Sequence, residues 1–398
     1  MPDESGMNIT NHISASLVFG TLLVATQAAL AEGGVGSVQL IELPTDRRDF
    51  GSLVFSDDGS SMGYVTDYSG QPKVHLYRDQ AWRVVYQDLG IQLYSHFVQG
   101  ISDDGSTLLF TDLEQSYLYR DGFVSRLPRT WLNDEGLQFA QLLQAVSLSG
   151  DGSTVSIIGK TSSVPYDDDR PLIWNSSNEE LVELDIGNPA EDDFGYRVVD
   201  LSGNGRVVAV NAAETGPINN LRNGPTAKVY LWVAGNIIQI PQPAHDLELS
   251  MWAYAVSGDG DTVVGLANAP YRDDNSFGLP YGHVNSAPAA WVWRSGQAEV
   301  EIIIQEKFEN IYIADINEDG KVILGQAYDS NQNGGNFLWF DGQGVLFTDQ
   351  LFDTLHLDLG VDDYSFTKIS NDGTRLMGYG YIDDQAFALI VTIPDLTP

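Results

Sequence analysis

"ISDDGSTLLFTD", residues 101–112, reads as the end of an apolar strand, a Ser, an Asp-Gly turn and a second apolar strand. Asp-Gly and Asn-Gly tolerate the positive φ of a tight hairpin. The chain writes the same phrase seven times. The other copies are "FSDDGSSMGYV", "LSGDGSTVSIIG", "LSGNGRVVAVN", "VSGDGDTVVGL", "INEDGKVILGQ" and "ISNDGTRLMGY". Their turn glycines are Gly59, Gly105, Gly152, Gly205, Gly260, Gly320 and Gly373, so the copies lie 46 to 60 residues apart. A period in this range predicts a propeller or another array of like units.

Each hairpin is followed by a third apolar segment, such as "KVHLYRD", "PLIWNSS" or "NFLWFDG". Six of these place an aromatic at one position: Tyr77, Tyr119, Trp174, Trp232, Trp293 and Trp339, with Leu389 in the seventh. A side chain repeated so regularly is expected to pack between neighbouring sheets. Several strands close on Gly (Gly63, Gly159, Gly265, Gly325, Gly378), which predicts close approach of neighbouring sheets there. A short fourth strand follows, as in "LVEL" (181–184) and "IIQI" (237–240). Four strands in each of seven repeats predict an all-β, seven-bladed β-propeller. The seventh copy stops after its third strand, and "SVQLIEL" (37–43) stands alone before the first copy. That N-terminal strand is expected to complete the last blade and close the ring, leaving only short protected edges.

Before it, "SLVFGTLLVATQAALA" is a short apolar run ending in Ala29-Leu30-Ala31. It predicts a signal peptide over 1–31 and a single mature propeller domain over 32–398, periplasmic or extracellular. The run is interrupted by polar residues and is short for a membrane span, so no span is expected in the mature chain. The segment before it carries Asp3 and Glu4 and no base; a start at Met7 would remove both acids. The chain contains no cysteine, which excludes disulfides, thiolate metal sites and a cysteine nucleophile. Its formal net charge is −35, which excludes phosphate backbones as natural partners.

The pattern [VI]-S-x-D-G-x-x-V-x-G, followed by A-F-x-x or x-F-L-W, resembles the extracellular HAF-repeat family of bacteria. The last copy, "ISNDGTRLMGYGYIDDQAFALIVTIP", preceded by "FTDQLFDTL" (347–355), is the nearest to it. The resemblance covers about residues 50 to 395 and implies the architecture. The family carries no assigned chemistry, so it implies no activity. The hairpin is also similar to the F-S-x-D-G of WD-repeat propellers, without their Gly-His and Trp-Asp dipeptides.

In such a fold the tight turns lie on one face. The loops from second to third strand, and from each fourth strand to the next blade, open on the other. Blades 3 to 5 have the longest second-to-third loops, reaching 33 residues between Gly260 and Trp293. Long loops on a rigid scaffold are where binding concentrates. They hold Tyr166, Asp167, Asp168, Asp169 and Arg170 in blade 3, and Arg222 and Asn223 in blade 4. Blade 5 adds Tyr271, Arg272, Asp273, Asp274, Tyr281 and His283, and Trp252 follows the loop before it. Aromatics, carboxylates, Arg and Asn together suit a carbohydrate or protein ligand, and a non-catalytic binding module is the favoured reading. No H-E-x-x-H or phosphate loop is present. One catalytic alternative is a lyase on acidic polysaccharide, in which Tyr271, Arg272, Tyr281 and His283 neutralise a uronate and move a proton. A third alternative is a structural protein stabilised by Ca²⁺. "DSNQNGG" supplies Asp329, Asn331 and Asn333 at alternating positions, Gly334 for the sharp turn and the Gly335 carbonyl, the first half of a calcium loop. Its terminal Glu is missing, and Asp341 or another loop's carboxylate is expected to replace it.

Overall fold

The computed structural model describes residues 36–44, 53–66, 73–87, 97–111, 115–128, 131–132, 138–139, 142–160, 170–186, 194–214, 227–242, 250–268, 289–304, 308–331 and 333–393. They form seven four-stranded antiparallel sheets arranged as a seven-bladed β-propeller. Blade 1 comprises Leu53–Phe55, Met62–Thr66, Lys73–Arg78 and Ala81–Gln87; blade 2 comprises Phe97–Ile101, Thr107–Thr111, Ser116–Arg120 and Phe123–Arg126. Blade 3 runs from Leu142–Leu148 through Thr154–Lys160 and Arg170–Asn175 to Glu180–Glu183. Blade 4 follows with Phe194–Leu201, Val207–Glu214, Ala227–Val233 and Asn236–Gln239, and blade 5 with Ser250–Val256, Thr262–Asn268, Ala289–Arg294 and Glu301–Ile304. Blade 6 holds Asn310–Ile316, Val322–Tyr328, Gly334–Phe340 and Gly344–Phe347. Blade 7 has Asp363–Ile369, Arg375–Ile382 and Gln385–Thr392, and its fourth strand is Ser37–Glu42, paired antiparallel from Ser37↔Thr392 to Glu42↔Phe387. The first strand of each blade is innermost. The closing strand is tied onward to blade 1, where Trp82 Nε1 donates to the Glu42 carbonyl at 2.9 Å.

The repeated phrase is a hydrogen-bonding device. In blade 2 the Ser102 hydroxyl donates to Asp104 Oδ1 (2.7 Å) and accepts the Thr107 N–H (2.9 Å). Asp104 Oδ1 also accepts the Ser106 N–H, and the Ser102 carbonyl accepts the Gly105 N–H. The buried main-chain and hydroxyl groups of Ser102 and the Thr107 N–H thus all have partners. Blade 6 has Asn317 instead of Ser, and its amide does both jobs: Oδ1 accepts the Val322 N–H and Nδ2 donates to Asp319, each at 2.9 Å. Burial raises the Asp104 carboxyl, but the bonds from Ser102 and Ser106 outweigh it and leave the group below the ordinary carboxylate value.

Gly105 is required twice over. Its φ is +68°, and a Cβ there would lie 2.3 Å from Ser61 Oγ of blade 1. The same seat recurs around the ring: Gly152 sits on Thr107, Gly205 on Thr154, Gly260 on Val207 and Gly320 on Thr262. In blades 1 to 5 the residue two places after the turn glycine is the platform for the next blade's turn, which explains why Ser61, Thr107, Thr154, Val207 and Thr262 are small or β-branched.

The repeated aromatics pack between blades, as expected. Trp339 clusters with Val264 and Val292 of blade 5, Trp293 with Val207 and Leu231 of blade 4, and Trp174 with Leu109 and Leu118 of blade 2. The strand glycines need a correction. Gly63 does meet the neighbouring sheet, at Leu108 of blade 2. Gly265 and Gly325 instead make room inside their own blades, for the Trp291 and Phe337 rings, and Gly378 clears the Ser365 carbonyl.

"FTDQLFDTL" yields a helix, Thr348–Leu355, inserted between blades 6 and 7. Leu351 and Phe352 bury against the blades, and His356 ends it in the left-handed conformation, φ 52°. A small ribbon, Trp131–Leu132 with Gln138–Phe139, lies between blades 2 and 3. No helix among the described residues is long and apolar enough to cross a membrane.

Candidate functional site

The innermost strands of blades 2 to 7 share one irregularity. Each shifts register once, between Val98 and Gly100, Ala145 and Ser147, Val198 and Asp200, Ala253 and Ala255, Ile313 and Asp315, and Phe366 and Lys368. A bulge re-aims the side chain that follows it. That residue always lies five places before the turn glycine. Read around the ring, with Val54 for blade 1, the position is Val, Gly, Ser, Asp, Ala, Asp and Lys.

The polar members meet on the axis. Asp315 of blade 6 pairs with Lys368 of blade 7 at 3.5 Å and accepts the Ile369 N–H at 2.9 Å. Asp200 of blade 4 accepts Ser147 Oγ of blade 3 (2.8 Å) and the Val256 N–H of blade 5 (2.9 Å). The ammonium of Lys368 feels Asp315, Asp103, Asp200 and Asp57, which stand on four other blades. Groups from so many blades can converge only in the axial channel. The Lys368 and Asp315 side chains remain 32% and 18% exposed although protein surrounds them, so the channel admits water.

Burial pushes the Asp200 carboxyl up to about 6; the Val256 and Ser147 donors oppose this, and the charge of Asp315 adds to it. Burial likewise raises Asp315, against the pull of Lys368. Asp315 in turn raises Lys368, outweighing its desolvation. Each of these charges already has a partner. They fix the spacing of the blades and set the potential of the channel, and they do not present a free nucleophile.

At the turn face a second ring closes around the axis. Main-chain N–H groups donate from Asp57 to Asp103, Asp103 to Gly150, Gly150 to Gly203, Asn204 to Gly258, Asp259 to Glu318 and Glu318 to Asn371. The Asn371 N–H completes the circle on the Asp57 carboxylate. Asn371 Nδ2 also reaches Asp103 Oδ2 at 3.1 Å. Burial raises Asp57 and Glu318, and Asp103 raises both further.

The opposite mouth is aromatic. Tyr312 is 53% exposed, Tyr254 37% and Phe97 36%, and Trp252 is partly buried; all four lie on innermost strands. Both faces of those strands are covered by neighbouring blades. Solvent therefore reaches these rings through the channel and its loop-face mouth.

Of the residues singled out from sequence, Trp252 is at this mouth. Arg170 lies 3.8 Å from Glu183 of the adjacent strand, both in partial contact with solvent. Tyr166, Asp167, Asp168, Asp169, Arg222, Asn223, Tyr271, Arg272, Asp273, Asp274, Tyr281 and His283 lie outside the described residues, as does the 1–31 segment. The Asp329 turn is described. Its Oδ1 accepts the Asn331 and Asn333 N–H groups at 2.8 and 2.9 Å, and Asn333 Nδ2 also faces the carboxylate. Cation ligation would need the Asn333 amide turned over and a further carboxylate. Asp341 cannot supply it: it stands at the far end of the Gly334–Phe340 strand, bound to Arg294 at 2.6 Å. No group of three or more His, Asp or Glu among the described residues is placed to hold a metal.

The axial charges escaped the sequence reading, although a signal was present. Aligned on the turn glycine, the copies place Asp200, Asp315 and Lys368 in one column of an otherwise small or apolar strand.

No family model and no curated protein matches the chain. Solved structures do. An oligogalacturonate lyase in complex with manganese aligns with a TM-score of 0.53 at 12% identity, over 91% of this chain and 99% of that one. The β-propeller domain of the Trilobed protease from Pyrococcus furiosus aligns with a TM-score of 0.53 at 11% identity, over 87% and 93%. That domain is described as having an open velcro topology; here the N-terminal strand closes the ring. At such identities the likeness is one of fold, and the shared fold is the propeller.

Proposed function

We propose that this propeller is a non-catalytic binding module that takes its ligand at the loop-face mouth of the axial channel. The observation that carries the reading is the set of exposed rings on innermost strands, Tyr312, Tyr254 and Phe97 with Trp252, above a floor of Asp200, Asp315 and Lys368. Exposed aromatics on a rigid frame supply contact area at low entropic cost. The strand ends that bound the long second-to-third connections of blades 3 to 5 belong to the same face. Export through the 1–31 segment belongs to this reading and would bring the module to a cell-surface, matrix or protein ligand. Screening the purified protein on glycan and peptide arrays, beside Tyr312→Ala and Tyr254→Ala, tests it. Binders should be lost in the variants while melting temperature holds. Binders indifferent to both changes, or no binder at all, would overturn it.

A further inference from the structure

The tyrosines of blades 6 and 7 narrow the kind of ligand. Tyr312 is 53% exposed at the mouth. Tyr328 ends the second strand of the same blade, close enough to Tyr312, Tyr379, Asp363 and Asp349 that they act on its hydroxyl. Glu309 joins them, its N–H bound to the Tyr328 carbonyl at 2.9 Å. Asp349, in the first turn of the helix, faces Gly335 beside the 329–333 hairpin. With Tyr364, whose hydroxyl donates to the Asp349 carboxylate, four rings and three carboxylates therefore share this end of two adjacent blades.

The described Lys and Arg residues of blades 5 to 7 are elsewhere, and Lys307 lies outside the described residues. Lys321 and Arg375 flank turn glycines on the opposite face, and Arg294 pairs across from Thr262 near that same face. Lys368 is on the axis, engaged by Asp315. A patch of tyrosine faces among carboxylates attracts a cation: aromatic faces and negative charge favour the same partner. Anionic polymers are repelled, and a neutral glycan gains nothing from the carboxylates. Resting on the binding-module reading above, we infer that the loop face of blades 6 and 7 docks a basic, extended peptide segment, with Lys or Arg side chains set over Tyr312 and Tyr328 and paired with Glu309, Asp349 and Asp363.

The test is fluorescence anisotropy of labelled hexalysine on the full chain, with hexaglutamate and a Gly-Ser peptide as controls. Tyr312→Ala should weaken hexalysine about fivefold, the equivalent of about 1 kcal/mol for one cation–π contact, and Tyr312→Phe should restore most of it. Glu309→Gln with Asp363→Asn should weaken it further and flatten its dependence on salt. Asp121→Asn with Glu180→Gln removes the same charge from the turn before the outer strand of blade 2 and from the outer strand of blade 3, and should leave affinity within about twofold, as screened surface charges imply. Equal losses in both double variants would mean diffuse attraction to an acidic protein and would overturn the inference, as would absence of hexalysine binding. An array ligand sensitive to Tyr254→Ala, found together with either result, would leave the binding-module reading standing and the peptide inference refuted.

Discussion

Ser102 offers the sharpest test of how the fold is held. It is fully buried, and its hydroxyl serves two partners, Asp104 and the Thr107 N–H. Ser102→Ala removes a bond to a carboxylate and orphans a buried N–H, since Thr107 is itself 1% exposed. An orphaned buried donor costs about 1–3 kcal/mol, and the lost charge-assisted bond adds roughly 1, because water can replace it on half-open Asp104. The expected loss is therefore about 2–4 kcal/mol. Unfolding entropy of about 2.1 cal/mol/K per residue, over a propeller of this length, turns that into a fall of roughly 3–5 °C in melting temperature. Ser102→Asn should recover most of it, because Asn317 already performs both functions in blade 6. Scanning calorimetry with urea titration would measure both variants. An Ala variant as stable as wild type, or an Asn variant no better than Ala, would refute the account of the turn.

Deleting 37–42 removes the fourth strand of blade 7 and with it Ile41 from the seam to blade 1; urea unfolding should lose cooperativity or the chain should fail to accumulate. Lys368→Met should destabilise by about 1–3 kcal/mol, less than for a fully buried pair because both side chains meet channel water. The double variant with Asp315→Asn should recover at least half of that in the same denaturant assay. Two groups set opposing pH dependences, readable from stability curves between pH 3 and 7. The folded Asp200 carboxyl, at about 6, lies above its unfolded value, so its contribution is lost as pH rises through about 6, at most about 3 kcal/mol. Burial holds buried His75 down at about 4, below its unfolded value, so its contribution is lost as pH falls from about 6.5 through about 4, by a similar amount. Asp200→Asn should leave a stability that rises with pH across this window, and His75→Gln one that falls; unchanged slopes would refute the assignments.

The propeller was legible because its repeat is a local chemical device. Ser, Asp and Gly at fixed offsets specify the turn wherever they fall, and the lone strand at 37–43 had no other blade to complete. The helix at 348–355 was not legible, because its short apolar stripe of Leu351, Phe352 and Leu355 resembles a strand end as much as a helix face. At the candidate site, Trp252 was legible as an aromatic beside a loop. Tyr254 and Tyr312 were not, since alternation along an innermost strand leaves open which side chains reach the channel. Asp200, Asp315 and Lys368 acquire their meaning from neighbours on other blades, and a single repeat carries no trace of them.

The closing strand also fixes the order in which the molecule can be finished. Residues 37–42 leave the ribosome well before the blade 7 strand at 385–392 with which they pair. Until then the strand presents an open edge, and the sheet it belongs to does not exist. A chain interrupted anywhere before blade 7 is therefore marked as unfinished by an unpaired strand at 37–42. Closing so long a loop adds little entropy per extra residue but must wait for the whole chain, so assembly is slow by construction. The same clasp governs how the molecule comes apart. Opening from the rim requires the six-residue pairing to part while the belt of main-chain bonds around the axis still holds. A ring fastened at both radii resists unfolding in time more than its equilibrium stability alone would suggest.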